Sequence, residues 1–145
     1  MSTLVLELRQ GDLLVVNGAP LRFRSRTRVE LTARARFLFG KQIMAPELAT
    51  TPARRIYLAF QTAYIGSDEE REQGLELARQ LAAEFQQATS SILAQELLDS
   101  ALAAAECDEC YQALKLVRRL MQHEEAVLAA AAALPLEGAG REARA

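Results

Sequence analysis

The sequence predicts an α+β fold, a small N-terminal antiparallel β-sheet or barrel-like module followed by a bundle of about four α-helices. Three observations carry that expectation. Apolar and polar residues alternate with a period of two through roughly the first forty positions, as in Leu4-Val5-Leu6-Glu7-Leu8. An Asn17-Gly18 pair then sits between two apolar runs, where a tight hairpin needs positive φ at both corners. After Pro46 the apolar spacing changes to that of helices. The chain divides accordingly into a basic antiparallel β module at 1–45, an acidic helical bundle at 46–135 and a disordered tail at 136–145.

Within the β module, residues 4–8 read as a strand, Gln10-Gly11-Asp12 as a turn, and Leu13 to Val16 as a second, β-branched strand. Across the Asn17-Gly18 turn the register sets Val16 opposite Ala19 and Leu14 opposite Leu21. If Ser25-Arg26-Thr27 joins the next two strands, Leu21, Phe23, Val29 and Leu31 share one face. The other face then sets Arg22 across from Glu30 and Arg24 across from Arg28. Directly opposed like charges are destabilising, and a bound phosphate would relieve them. Arg36-Phe37-Leu38-Phe39 supplies a fifth strand, with Phe37 and Phe39 read as core rather than as stacking platforms.

Thr51-Pro52 starts the first helix as N-cap and first-turn proline, with Ile56, Phe60, Ala63 and Tyr64 on one stripe and Gly66 at its close. Asp68 is expected to cap a second helix that buries Ala78, Leu81, Ala82 and Phe85. Ser90 or Ser91 opens a third, with Leu93, Leu97, Ala101 and Ala104 inward. Residues 106–109 break the pattern. A fourth helix runs from about Cys110 to Ala133, ending near Pro135, with Leu114, Val117, Leu120 and Met121 on its apolar face. Residues 92–123 resemble one antiparallel helical pair of the tetratricopeptide kind, but a single pair is not an array.

The net charge of −2 conceals an asymmetry. Residues 1–60 hold ten basic and four acidic side chains, net +6; the remainder holds seven basic and fifteen acidic, net −8. A front end so charged suits an anionic partner. No basic flank precedes the apolar N-terminal residues, and the apolar run at 126–136 is too short to span a bilayer, so a cytoplasmic address is expected. Cys107 and Cys110 then read as free thiols. Their spacing is that of half a zinc knuckle, and even with His123 they fall short of four ligands, so no metal or other cofactor is expected. The chain shows no glycine-rich phosphate loop and no nucleophile elbow, and no enzyme is expected.

Several segments, in order, carry a family resemblance. They are Leu4 to Leu8, Val16-Asn17-Gly18, Arg26-Thr27-Arg28, Met44, and Ala49-Thr50-Thr51-Pro52-Ala53-Arg54-Arg55-Ile56-Tyr57 with Gln61 and Tyr64 after it. Tyr111-Gln112-Ala113-Leu114-Lys115-Leu116 follows. In these the chain, up to about residue 123, resembles the flagellin-regulating FlbT family. The resemblance implies a post-transcriptional repressor in bacterial flagellum biogenesis, one that binds the 5′ untranslated leader of flagellin messenger RNA and lowers its translation or stability. The β-first order is also loosely similar to the carbon-storage-regulator family, an analogy of fold alone.

The RNA-binding candidates are Arg22, Arg24, Arg26, Arg28, Arg34 and Arg36, because a planar guanidinium pairs phosphate oxygens and lies flat on exposed bases. Arg54 and Arg55 join them. Both stand in the first turn of a helix, where the dipole disfavours cations, so each needs a carboxylate across the fold or an RNA phosphate. A second functional expectation is a protein-binding adaptor whose acidic helical half contacts flagellin or another flagellar assembly factor. Leu13 and Val15 share a strand face with Arg22, leaving apolar surface that a homodimer would cover.

Overall fold

The computed structural model describes residues 4–32 and 35–144, with side chains as far as residue 133. Five short strands precede four helices: β1 Leu4–Leu8, β2 Leu13–Val16, β3 Ala19–Arg22, β4 Thr27–Leu31, β5 Phe37–Phe39, α1 Pro52–Ile65, α2 Asp68–Ala88, α3 Ile92–Glu106 and α4 Cys110–Arg144. Two 3₁₀ turns, Gly40–Gln42 and Pro46–Leu48, connect the sheet region to α1. The fold is α+β.

The strands form two small antiparallel sheets, β1-β4 and β3-β2-β5. The β2–β3 hairpin has the predicted register, Val16 opposite Ala19 and Leu14 opposite Leu21, with Asn17 at φ 48° and Gly18 at φ 85°. The next hairpin does not form. β4 crosses to β1, setting Arg28 opposite Glu7 and Val5 opposite Glu30. Two physical terms favour this register over the predicted one. It replaces the Arg24–Arg28 opposition with an ion pair, and it lays a second sheet over an otherwise uncovered apolar face. Leu6, Leu8 and Leu14 are buried there, with Phe23, Val29, Leu31, Phe37 and Phe39 packed around them. Phe37 and Phe39 therefore belong to the core, as predicted, while Leu21 is exposed. β3 is an edge strand, and Pro20 within it removes a free edge donor.

The opposite face of the three-stranded sheet rests on the helices. Val15 and Leu38 are buried in the helical core and Leu13 is packed against it. The apolar surface that motivated pairing between two chains is thus covered within one chain.

α1 lies at the centre of the helical part and buries residues nearly all round, among them Ala53, Ile56, Tyr57, Phe60 and Ala63. It packs against α2 and α4, and α3 packs against α4. Gly74 lets α2 approach α1 closely: a Cβ there would lie 2.8 Å from the Ala63 nitrogen. Ser67, not Asp68, caps α2, because its hydroxyl reaches the Glu70 N–H while the Glu70 carboxylate accepts from the Ser67 N–H. These bonds hold the Glu70 carboxyl below its ordinary range. Along α2, Ala78 and Ala82 are fully buried, with Leu81 and Phe85 packed at the margin. Ser91 caps α3, and the buried stripe there is Ala94, Leu97, Leu98, Ala101 and Ala105. Leu93 faces outward, one position round the helix from its predicted place. α4 does not end near Pro135. Its backbone continues to Arg144.

Candidate nucleic-acid interface

The predicted arginines separate into an open group and a tied group. Arg22, Arg24 and Arg26 lie at the end of β3 and in the loop that crosses between the two sheets, and all three are exposed. Arg22 Nη1 donates to the Gly11 carbonyl at 3.1 Å. Among the described residues, ion pairs involve Arg28, Arg54, Arg71 and Arg79, and none involves Arg22, Arg24 or Arg26. The end of β3 and the loop together therefore carry three positive charges that no carboxylate among the described residues meets at ion-pair distance.

Arg28 belongs to the tied group. Its Nη2 donates to Glu7 Oε1 at 2.9 Å across the β1–β4 pair. That hydrogen bond and the Arg28 charge hold the Glu7 carboxyl below its ordinary value, and Arg26 adds to the effect. Arg36 is half-buried. Its Nε donates to the Tyr64 carbonyl at 3.0 Å, and its backbone exchanges bonds with Asn17. A cation against the last carbonyls of α1 complements the helix dipole. Arg36 is thus a fastener between hairpin, sheet and helix. Arg34 lies outside the described residues.

The two arginines opening α1 resolve differently. Two carboxylates from α4 meet that helix end: Glu124 Oε2 accepts from the Ala53 N–H at 3.0 Å, and Glu125 lies 3.7 Å from Arg54. Arg54 also donates to Thr50 Oγ1. The unfavourable charge in the first turn is therefore offset within the chain, helix to helix. Arg55 remains exposed at the margin of an apolar groove between α1 and α2 that includes Leu58, Leu77 and Leu81.

The residues that carry the family resemblance turn out to build the joint between sheet and helices. Gln61 is buried, and its amide clasps the backbone of Met44, accepting from the N–H at 2.7 Å and donating to the carbonyl at 3.1 Å. The Tyr57 hydroxyl donates to the Gln42 carbonyl. The Tyr64 hydroxyl accepts from the Phe37 N–H at 3.3 Å, and burial raises its phenol above the usual range.

One cationic group escaped the sequence prediction. Lys115, Arg118 and Arg119 line a 400 Å³ cleft between α4 and the Gly40–Gln42 turn, with Gln42, Tyr57 and Tyr111. Arg118 Nη2 donates to the Tyr57 hydroxyl at 2.9 Å and lies over that ring. The signal was present as basic residues at i, i+3 and i+4 of one helix, but the strong net acidity of residues 61–145 hid it. The thiols stand elsewhere. Cys110 is buried, which together with Asp108 pushes its thiol up, and Cys107 is exposed. His123 Nε2 bonds Ser91 Oγ at 3.1 Å, joining α4 to the start of α3.

A small two-sheet module with an open arginine loop, clamped to a helical bundle, is the class this geometry defines. Comparison with known proteins gives the family. The chain belongs to the FlbT family, whose description is Flagellar protein FlbT and which matches residues 4–128. Similar relatives include a protein of Agrobacterium fabrum named a probable flagellum biosynthesis repressor, 32% identical over 132 residues that cover 88% of this chain and 85% of that one. A protein of Bradyrhizobium diazoefficiens with the same kind of name is 32% identical over 139 residues, 92% of this chain and 98% of its own. One from Brucella ovis is 35% identical over 80 residues, 55% and 53% of the two chains. No solved structure matches the chain. Among the described residues no helix is long and apolar enough to cross a membrane.

Proposed function

We propose that this chain represses flagellar synthesis after transcription, by holding the 5′ untranslated leader of flagellin messenger RNA in the cytoplasm on the arginine loop of its β module. The observation that carries this function is the exposed charge of Arg22, Arg24 and Arg26, none of which is in an ion pair among the described residues. Arginine there neutralises phosphates and lies against unstacked bases of a single-stranded leader. Occupying the leader either blocks ribosome entry or changes exposure to nucleases.

The test is binding of leader RNA to the Arg24→Ala/Arg26→Ala double variant across a salt series. The expected result is weaker binding, with the slope of log affinity against log salt reduced by about 0.7 for each phosphate no longer neutralised. An unchanged affinity and slope in a folded variant rejects this surface. A control substitution at Arg28, already held by Glu7, has a smaller effect.

A second function, an adaptor for flagellin or another assembly factor, is supported by the groove between α1 and α2. Its 440 Å³ is largely apolar, and Leu77 at its margin is exposed. Purified flagellin that binds the chain, and loses binding on Leu77→Asp, supports the adaptor; equal binding by the variant rejects the groove.

A further inference from the structure

We propose that the cleft lined by Lys115, Arg118 and Arg119 is a second RNA-binding position, which takes one nucleotide of a single strand. This rests on the RNA-binding function proposed above and adds a site at the opposite end of the three-stranded sheet. β3, which leads into the arginine loop, is one edge of that sheet; β5, which leads into the cleft's Gly40–Gln42 turn, is the other.

Charge separates this cleft from its neighbours. Its lining carries three cations and no carboxylate. The larger cleft of 860 Å³ beside the hairpin sets Arg36 and Arg71 against Asp68, Glu72, Asp108 and Glu109. Among the described residues no carboxylate pairs with Lys115, Arg118 or Arg119. Cations gathered in a concave, partly apolar wall focus a positive field, and an anion from outside neutralises it.

The remaining groups favour a nucleotide over a bare anion or an acidic peptide. Tyr111 is 40% exposed and its hydroxyl accepts from Gln42 Nε2 at 3.3 Å, which fixes the ring. The Lys115 ammonium lies over the same ring, 5.7 Å from its centre, and the Tyr64 ring packs against it at 5.9 Å between centroids, so a base stacks on Tyr111 as Lys115 swings off the ring to meet the phosphate. The side-chain amide of Gln122, also in the lining, suits the hydrogen-bonding edge of a base. Four hundred cubic ångströms lies at the small end of the roughly 300–1,000 Å³ usual for small-molecule clefts. An extruded nucleotide fits such a space; a duplex does not. Arg118 is committed to Tyr57 by a hydrogen bond as well as by the ring, so the phosphate falls to Arg119 and to Lys115, which gives up the Tyr111 ring as the base takes its place.

The experiment compares the full chain with Lys115→Ala/Arg119→Ala, Tyr111→Leu and Arg24→Ala/Arg26→Ala variants, each checked for helical content by circular dichroism. Fluorescence anisotropy follows labelled oligouridylate over a salt series, with polyglutamate as competitor. The cleft double variant is expected to lower the salt slope by about 0.7, the one phosphate that the bound nucleotide brings. Tyr111→Leu is expected to weaken binding about tenfold at every salt concentration, the loss of one stacked base. Cleft variants that bind like the parent while the loop variant fails overturn the second position and leave the proposed function standing. A parent chain that binds no RNA overturns both. Competition by polyglutamate as strong as by unlabelled oligouridylate overturns the nucleotide assignment in favour of an acidic peptide.

Discussion

Arg24 and Arg26 on the crossing loop, and Arg36 and Arg118 at the joint between sheet and helices, are the same side chain in two settings. The first pair is exposed and, among the described residues, meets no carboxylate at ion-pair distance. The second pair is half-buried and committed, Arg36 to the Tyr64 carbonyl and Arg118 to the Tyr57 hydroxyl and ring. Removing a committed guanidinium leaves partners unpaired in a partly dry setting, whereas removing an exposed one changes only the surface field. The joint should therefore respond to substitution in stability, and the loop in affinity.

The largest effect tests the joint directly. Gln61→Leu keeps the bulk but strands the half-buried N–H and carbonyl of Met44, at a cost of about 1 kcal/mol for each group left unpaired, the lower end of the range for a buried one. Urea unfolding should show a lower midpoint with an unchanged slope. A midpoint near that of the parent chain means the Gly40–Leu48 connection carries no stability. Next comes Gly74→Ala. Helix propensity alone predicts a gain of about 0.5–1 kcal/mol, but the new methyl would stand 2.8 Å from the Ala63 nitrogen and 3.0 Å from the Ala59 carbonyl. Overpacking of about 1–3 kcal/mol should win, giving net destabilisation. A more stable variant would mean that α1 and α2 separate easily.

The arginine contrast itself comes third. Arg36→Ala should cost about 1.5 kcal/mol, the lower end for a hydrogen bond made by a charged group. Arg24→Ala should stay within about 0.5 kcal/mol of the parent chain. Equal losses at the two positions would erase the distinction between fastener and open surface.

Much of the fold is legible in the residues alone. Asn17-Gly18 determines the first hairpin, because its backbone demand is local, and Thr51-Pro52 determines the start of α1 for the same reason. The pairing of β4 is not legible, since the choice between β3 and β1 turns on which apolar face a second sheet covers. Local alternation places Phe23, Val29 and Leu31 on the correct face but says nothing of the partner strand. The same limit applies to the arginines. Arg28 and Arg24 are alike in sequence, and only the long-range register that sets Glu7 opposite Arg28 separates them. Lys115, Arg118 and Arg119 are readable as one helix face, yet the turn that completes their cleft comes from some seventy positions earlier, as the Gln42–Tyr111 bond shows.

The smallest effects lie where α4 meets the start of α1. Glu124 and Glu125 are adjacent, but their tasks differ. The Glu124 carboxylate accepts the Ala53 N–H at a helix end where Thr51 Oγ1 takes the Arg54 N–H. Glu125, itself 61% exposed, faces Arg54 at 3.7 Å across solvent. Glu124→Ala should therefore cost about 1 kcal/mol, as removal of other caps does, and Glu125→Ala a few tenths at most. Added salt should erase most of the second difference, because water already screens that pair, and leave most of the first. If the two variants instead lose equal stability, with equal salt dependence, the charge on α4 supports the first turn of α1 only as a diffuse field. Arg54 would then be no more tied than Arg55, and would return to the open group as a candidate for phosphate.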